Sequence, residues 1–167
     1  VPRMLKLVLP KGSLEKSTLE LFDGADLAVS RGSSVDYRAT IDDPRIEDVR
    51  ILRPQEIPVY VADGLFDIGI TGRDWIEETG SDVVSLGELH YSKATARPVR
   101  IVVAVAGDSP VESVADLSSG VRVSSEYPEL TRRFFDERGV EADGMSTAHG
   151  HTQGVGYTVK LIRDAIP

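Results

Sequence analysis

Short apolar runs, each stopped by proline or glycine and followed by a stretch with helical spacing, constrain this 167-residue chain more than any other feature. Leu5-Lys6-Leu7-Val8-Leu9 alternates once and then stays apolar, as a strand covered on both faces does. Pro10-Lys11-Gly12-Ser13 breaks it, and Leu14, Leu19, Leu21 and Phe22 predict a helix of about ten residues capped by Ser13. Residues 36–41 and 49–52 read as short strands around the turn Asp42-Asp43-Pro44. Residues 55–63 look helical with Pro58 in the first turn, 66–70 form a strand, and a helix opens near Trp75 and closes at Gly80.

The second half repeats the pattern. Residues 99–106 are the strongest strand, rich in β-branched side chains; 111–117 read as a short helix, 121–123 as a strand and 127–138 as a helix ended by Gly139. This alternation predicts an α/β fold with a mainly parallel sheet. The polar stretch 90–98 is the best lobe boundary, giving a first lobe of 4–94 and a second of 95–143. From 144 to 167 the character changes: Gly144, Gly150, Gly154 and Gly156 crowd around His149 and His151, and 155–166 read as a final helix with no strand after it.

Composition narrows the function classes. A hydrophobic share of 41% supports a real core, so disorder is set aside. A net charge of −8 lacks the dense positive surface that nonspecific nucleic-acid binding needs, so anionic ligands must be held in local positive pockets. The absence of cysteine excludes a disulfide scaffold, a thiolate zinc site and a cysteine nucleophile, and fits a cytoplasmic protein. No apolar run approaches the roughly 18 residues of a membrane span, and no signal peptide is visible. Val1-Pro2-Arg3-Met4 fits the remnant of an expression tag and is left out of the fold reading.

Four loops can carry chemistry. In Lys11-Gly12 a strand delivers a glycine turn to a helix start, which suits phosphate; the plainer reading is an ordinary turn with an exposed lysine. Gly69-Ile70-Thr71-Gly72-Arg73-Asp74 repeats that geometry: Thr71 and Gly72 can hold an anion, while Asp74 either caps the helix or accepts from a ribose hydroxyl or adenine amine. Arg53, fixed by Pro54, either forks onto phosphate or pairs with Glu56 or Asp67. Ser125 and Tyr127, between a strand and a helix, either face a cleft or simply cap. His149-x-His151 has a spacing found in metal sites but no clear third ligand, so no metal site is assigned, and His90 near Lys93 and Arg97 reads as structural. No Walker loop or dinucleotide fingerprint is present.

Taken together, Leu9-Pro10-Lys11-Gly12, the run from Ile51 to Val61, the run from Asp67 to Asp74, and Ser125-Glu126-Tyr127-Pro128-Glu129-Leu130-Thr131-Arg132 resemble the catalytic subunit of ATP phosphoribosyltransferase. The resemblance covers roughly residues 5 to 143. It implies a two-lobed fold like type II periplasmic binding proteins with the site in the cleft. It implies transfer of phosphoribosyl from phosphoribosyl pyrophosphate to N1 of ATP, with Mg²⁺ accompanying the substrates, as the first step of histidine biosynthesis. It places Lys11, Gly12, Arg53, Thr71, Gly72 and Asp74 around the substrates, with Ser125 and Tyr127 from the second lobe. The implied partners are ATP and phosphoribosyl pyrophosphate, with a homo-oligomer or a regulatory subunit, and neither nucleic acid nor membrane. After Asp143 the family's phosphoribosyl pyrophosphate loop and its return segment are not found. Two alternatives therefore stay open: a catalytically inactive chimera or fragment of that scaffold, and a small-molecule binding module.

Overall fold

The structure, a computed structural model, describes residues 3–90, 100–147 and 159–166. The chain divides into two units, Val1–Ala96 and Arg97–Pro167. The first is built around β1 (Leu5–Pro10), whose Leu7, Val8, Leu9 and Pro10 are all buried. A strand buried on both faces must have neighbours on both edges and cover on both sides. It has them. β4 (Ile46–Leu52) pairs in parallel on one edge and β5 (Ile68–Gly69) in parallel on the other. β2 (Val29–Ser30) and β3 (Arg38–Ile41) extend the β4 side by antiparallel pairing, giving the order β2-β3-β4-β1-β5.

Helices cover this sheet. Leu19 and Phe22 of α1 (Glu15–Gly24) pack with Leu7, Leu9, Ala39, Ile41, Val49 and Ile51. α2 (Ile57–Ala62) sets Ile57 and Val61 against Gly69 and Val8, which points to the opposite face by strand alternation. Pro58 sits in the first turn of α2, as its missing N–H requires. α3 (Arg73–Thr79) follows β5 and stops at Gly80 in the left-handed region.

In the second unit β6 (Ile101–Ala106) pairs antiparallel with β9 (Val159–Ile166), and β7 (Val121–Ser125) pairs parallel with β8 (Ala142–Thr147). Between β6 and β7 lies one 3₁₀ turn, Val114–Asp116, closed by a Ser113/Asp116 capping box. α4 (Pro128–Asp136) drives Phe134 and Phe135 into a core with Val114 and Val140, the two rings edge to face at 5.6 Å.

Three expectations are corrected here, and one strand was not foreseen. The sheet pairing is mixed rather than mainly parallel, because the short β2 and β3 form a meander onto β4. Ser13 does not cap α1: the helix begins two residues later, with Leu14 at the cap position and no side-chain cap. β8 went unread because Gly144 and the polar residues around it hide its period. Residues 159–166 form a strand and not a helix, since pairing with β6 outweighs their helix-compatible spacing. Most of the polar stretch 90–98, together with His149, His151 and the glycines 150, 154 and 156, lies outside the described residues.

Candidate functional site

The carboxyl ends of parallel strands are where an open α/β sheet offers loops to a ligand. β4, β1 and β5 are adjacent and co-directional, so the segments leaving them share one edge of the first unit. Pro10 is level with Leu52, and Val8 with Gly69. Continuing that register by one residue past Pro10 and three past Gly69 brings Lys11, Arg53 and Gly72 to the same height, with neighbouring strands about 4.8 Å apart. The loops that carry Lys11 and Gly12, Arg53, and Thr71, Gly72 and Asp74 therefore leave one edge of the first unit's sheet.

Each of these positions has a local cause. The Lys11 N–H donates to Leu52 O at 2.7 Å, continuing the ladder one step beyond β1. Gly12 has φ +87 and open space where a side chain would stand, which suits close approach by a ligand. The Lys11 ammonium lies 4.4 Å from the Tyr37 ring centroid, a cation–π contact that aims it across the edge. Arg53 is exposed and forms no ion pair among the described residues; Asp67, one of the partners expected for it, pairs with Arg3 at 2.6 Å instead. Asp67 also accepts from the Lys6 N–H at 2.8 Å, locking the start of β5 to β1.

The Thr71 hydroxyl donates to Pro54 O at 2.8 Å, so it ties the loop after β5 to the loop after β4. Its backbone, rather than its hydroxyl, is what remains for a ligand. Gly72 is the cap position of α3, and Asp74 accepts from the Trp75 N–H at 3.0 Å within the first turn. The Asp74 carboxylate fills the space a Gly72 side chain would need, 2.1 Å from an ideal Cβ. Asp74 thus stands in the first turn of α3 and not at its cap position, and the helix has no side-chain cap.

Ser125 and Tyr127 stand in the second unit, at the carboxyl end of β7. Ser125 Oγ accepts from the Tyr127 N–H at 3.0 Å and lies 2.8 Å from Thr131 Oγ1, which itself donates to Tyr127 O at 2.6 Å. These bonds build the turn into α4, whose cap position is Tyr127 with no side-chain cap.

Sequence reasoning missed a fourth segment at the first unit's edge. β2 is antiparallel to β3, and β3 to β4, so β2 runs with β1 and β4 and ends at the same side. Arg31 follows it. Its guanidinium pairs with Glu15 of α1, and the Glu15 carboxylate also accepts from the Gly12 N–H at 3.3 Å. Two residues of strand are too few to read from a pattern; the signal was the apolar Leu27-Ala28-Val29 stopping at Arg31-Gly32. Tyr37, which supports Lys11, was likewise passed over. Among the described residues no group of three or more His, Asp or Glu side chains is placed to hold a metal ion.

A family model described as HisG, ATP phosphoribosyltransferase, matches residues 53–153. The chain is similar to the ATP phosphoribosyltransferase of Chlorobium phaeovibrioides (strain DSM 265 / 1930), 48% identical over 140 residues, which is 84% of this chain and 47% of that protein. It is similar to the ATP phosphoribosyltransferase of Nitratidesulfovibrio vulgaris (strain DP4), 45% identical over 162 residues, 97% of this chain and 53% of that protein. Its fold matches the solved ATP phosphoribosyl transferase (HisG:HisZ) complex from Thermotoga maritima with a TM-score of 0.67 at 23% identity, over 88% of this chain and 65% of that one. The chain spans about half the length of the curated relatives it matches. The expectation that residues 144–167 fall outside the resemblance is corrected: the family match runs to residue 153, and a match over 97% of the chain must include most of that segment.

Proposed function

Because this chain belongs to the ATP phosphoribosyltransferase family, we propose that it serves the transfer of phosphoribosyl from phosphoribosyl pyrophosphate to N1 of ATP, which opens histidine biosynthesis. In that reaction the bond from the ribose anomeric carbon to pyrophosphate breaks as a bond to N1 of adenine forms, and pyrophosphate leaves with the electron pair. Such chemistry asks the protein for two things: alignment of nucleophile and electrophile, and neutralisation of charge building on the leaving group. It needs no side-chain nucleophile.

The observation that supports this reading is the parallel register of β4, β1 and β5, which sends the loops carrying Lys11, Arg53 and Gly72 off one edge of the sheet. Lys11 and Arg53, each one residue past the end of neighbouring strands, supply two positive charges for a polyphosphate. Gly12 lets that polyphosphate approach the backbone. The Thr71–Pro54 bond holds the third loop in register with the second, and Asp74 in the first turn of α3 is the acceptor on the nucleotide side. Ser125 and Tyr127 stand in the second lobe of the same reading, which takes 4–94 and 95–143 as the two lobes of a fold of the type II periplasmic-binding-protein kind.

Mg²⁺ enters as the substrates' own counterion, offsetting charge on the polyphosphate. Mg²⁺ is commonly held by phosphate oxygens and water with few protein ligands. A homo-oligomer or a regulatory subunit is part of the proposal, in keeping with the complex formed by the Thermotoga maritima relative.

The test is direct. Folded protein mixed with ATP, phosphoribosyl pyrophosphate and Mg²⁺ should generate the ultraviolet absorbance of phosphoribosyl-ATP. Lys11→Met and Arg53→Met should each lower kcat/KM by about a hundredfold, as expected when a charge facing a developing anion is lost. Absence of product from folded protein, or full activity in both variants, would end the proposal.

A further inference from the structure

The donors that would receive phosphate at this edge already hold an anion of the protein's own. The Gly12 N–H, at the turn that opens to the ligand, points at Glu15 Oε2 over 3.3 Å, near the outer limit of a hydrogen bond. The same carboxylate pairs with the Arg31 guanidinium. Neither partner is a surface group: the Arg31 side chain is 15% exposed and that of Glu15 19%. A carboxylate held by one backbone N–H and one guanidinium reproduces, with a single charge, the coordination that a phosphate oxygen seeks.

Arg31 is also not fully used. Its Nη1 is buried and has no hydrogen-bond partner among the described residues. An arginine fork binds a carboxylate or a phosphate best with two nitrogens, so a fork with one buried orphan is incompletely satisfied by Glu15. Ser30, Arg31, Gly32, Arg38 and Thr40 line a shallow hollow beside it. That hollow carries a second guanidinium and two hydroxyls, and the Asp36 carboxylate stands beside Gly32.

We propose that Glu15 is an internal stand-in for the substrate's phosphate, and that a pyrophosphate or phosphate-ester group displaces it to take both the Gly12 N–H and the fork of Arg31. Glu15 then competes with the ligand for the same donors, and Arg31 is an anion-binding residue of this edge. A carboxylate in place repels an incoming anion, and the more highly charged pyrophosphate wins the donors because each contact is charge-assisted. This rests on reading the edge as a phosphate site, but it fails separately from the transferase assignment. Turnover decides the latter; the order of anion affinities among variants decides the former.

The experiment titrates the chain with inorganic pyrophosphate by calorimetry, with folding of each variant checked by its circular-dichroism melt. Glu15→Gln keeps the size and the acceptor of the side chain but removes the competing charge. Pyrophosphate should bind it several-fold more tightly than the parent. Arg31→Lys keeps a cation for Glu15 but loses the fork, and affinity should fall about tenfold. A purely structural ion pair tying α1 to β2 would lower both melts and leave affinity unchanged or reduced in both variants. That pattern, or no measurable pyrophosphate binding by the parent, overturns the proposal. If one variant does not fold, the other decides alone, because the two are expected to move in opposite directions.

Discussion

Gly69 and Gly72 sit three residues apart and are glycine for different reasons. A Cβ on Gly69 would stand 2.7 Å from Ile57 Cγ2, 3.0 Å from Val8 Cγ1 and 3.1 Å from Val61 Cγ2, all β-branched side chains held by packing. Gly69→Ala should therefore cost about 1–3 kcal/mol, read from denaturant unfolding of the first unit. A Cβ on Gly72 would clash only with the end of the Asp74 side chain, which can rotate away, and would touch Trp75 Cδ1 at an ordinary 3.6 Å. Gly72→Ala should stay within about 1 kcal/mol of the parent. Asp43 gives a second residue-scale prediction. Its carboxyl is held at about 2, against the ordinary 3.8, first by the Arg45 guanidinium hydrogen bonds and next by the Arg45 backbone N–H. A depressed carboxyl contributes stability above its unfolded value and loses it as pH falls through the folded one. Asp43→Asn should flatten the acid limb of the stability profile between pH 3.8 and about 2, measured by melts across that range. At this scale the sequence showed which residues reach the edge. It could not show how they are spent, because the Thr71 hydroxyl and the Ser125 hydroxyl are taken by partners 17 and 6 residues away.

At the scale of elements, legibility tracked burial. β1, α2 and α4 were readable because each buries a face that periodicity reports directly: Leu7 to Leu9, Ile57 with Pro58, and Phe134 with Phe135. β2, two residues long, exists only because a neighbour completes its ladder, so its own residues carry little signal, whereas β5 was read over 66–70 and pairs only at Ile68–Gly69. β9 misled for a related reason, since its partner β6 lies more than fifty residues earlier in the chain. Phe135 is fully buried between α4 and the second unit's strands. Phe135→Ala should cost about 3–5 kcal/mol and show as lost hydrogen-exchange protection in β6 and β7, with β1 unchanged.

For the whole molecule, each unit has its own core: Leu7, Leu9, Val49 and Ile51 with their neighbours in the first, Val114, Phe134, Phe135 and Val140 in the second. Removing residues 144–167 deletes β9 and most of β8, stripping β6 and β7 of the strands they pair with. The truncated chain should lose its second unit, seen as rapid proteolysis beyond residue 97, while the first keeps a cooperative melt. An unchanged melt of both units would contradict this. The acidic balance of −8 was legible from composition, and so was its corollary that anions must be met locally. The division of the local positive charge between Lys11, Arg53 and the hidden Arg31 was not, since it depends on strand order.

β1 is a ruler shared by two neighbours. Leu5 to Pro10 sets, in one count, how far Lys11 protrudes beside Arg53 and beside Gly72. Deleting a single residue from this strand would draw Lys11 back by about 3.3 Å against both, and turn the Leu7/Leu9 side toward α2. Recognition and core would be spoiled by the same stroke. Length variation among natural or engineered versions of this chain should therefore be tolerated in the turn between β3 and β4, at the opposite edge of the sheet, and be absent from the six residues that do the measuring.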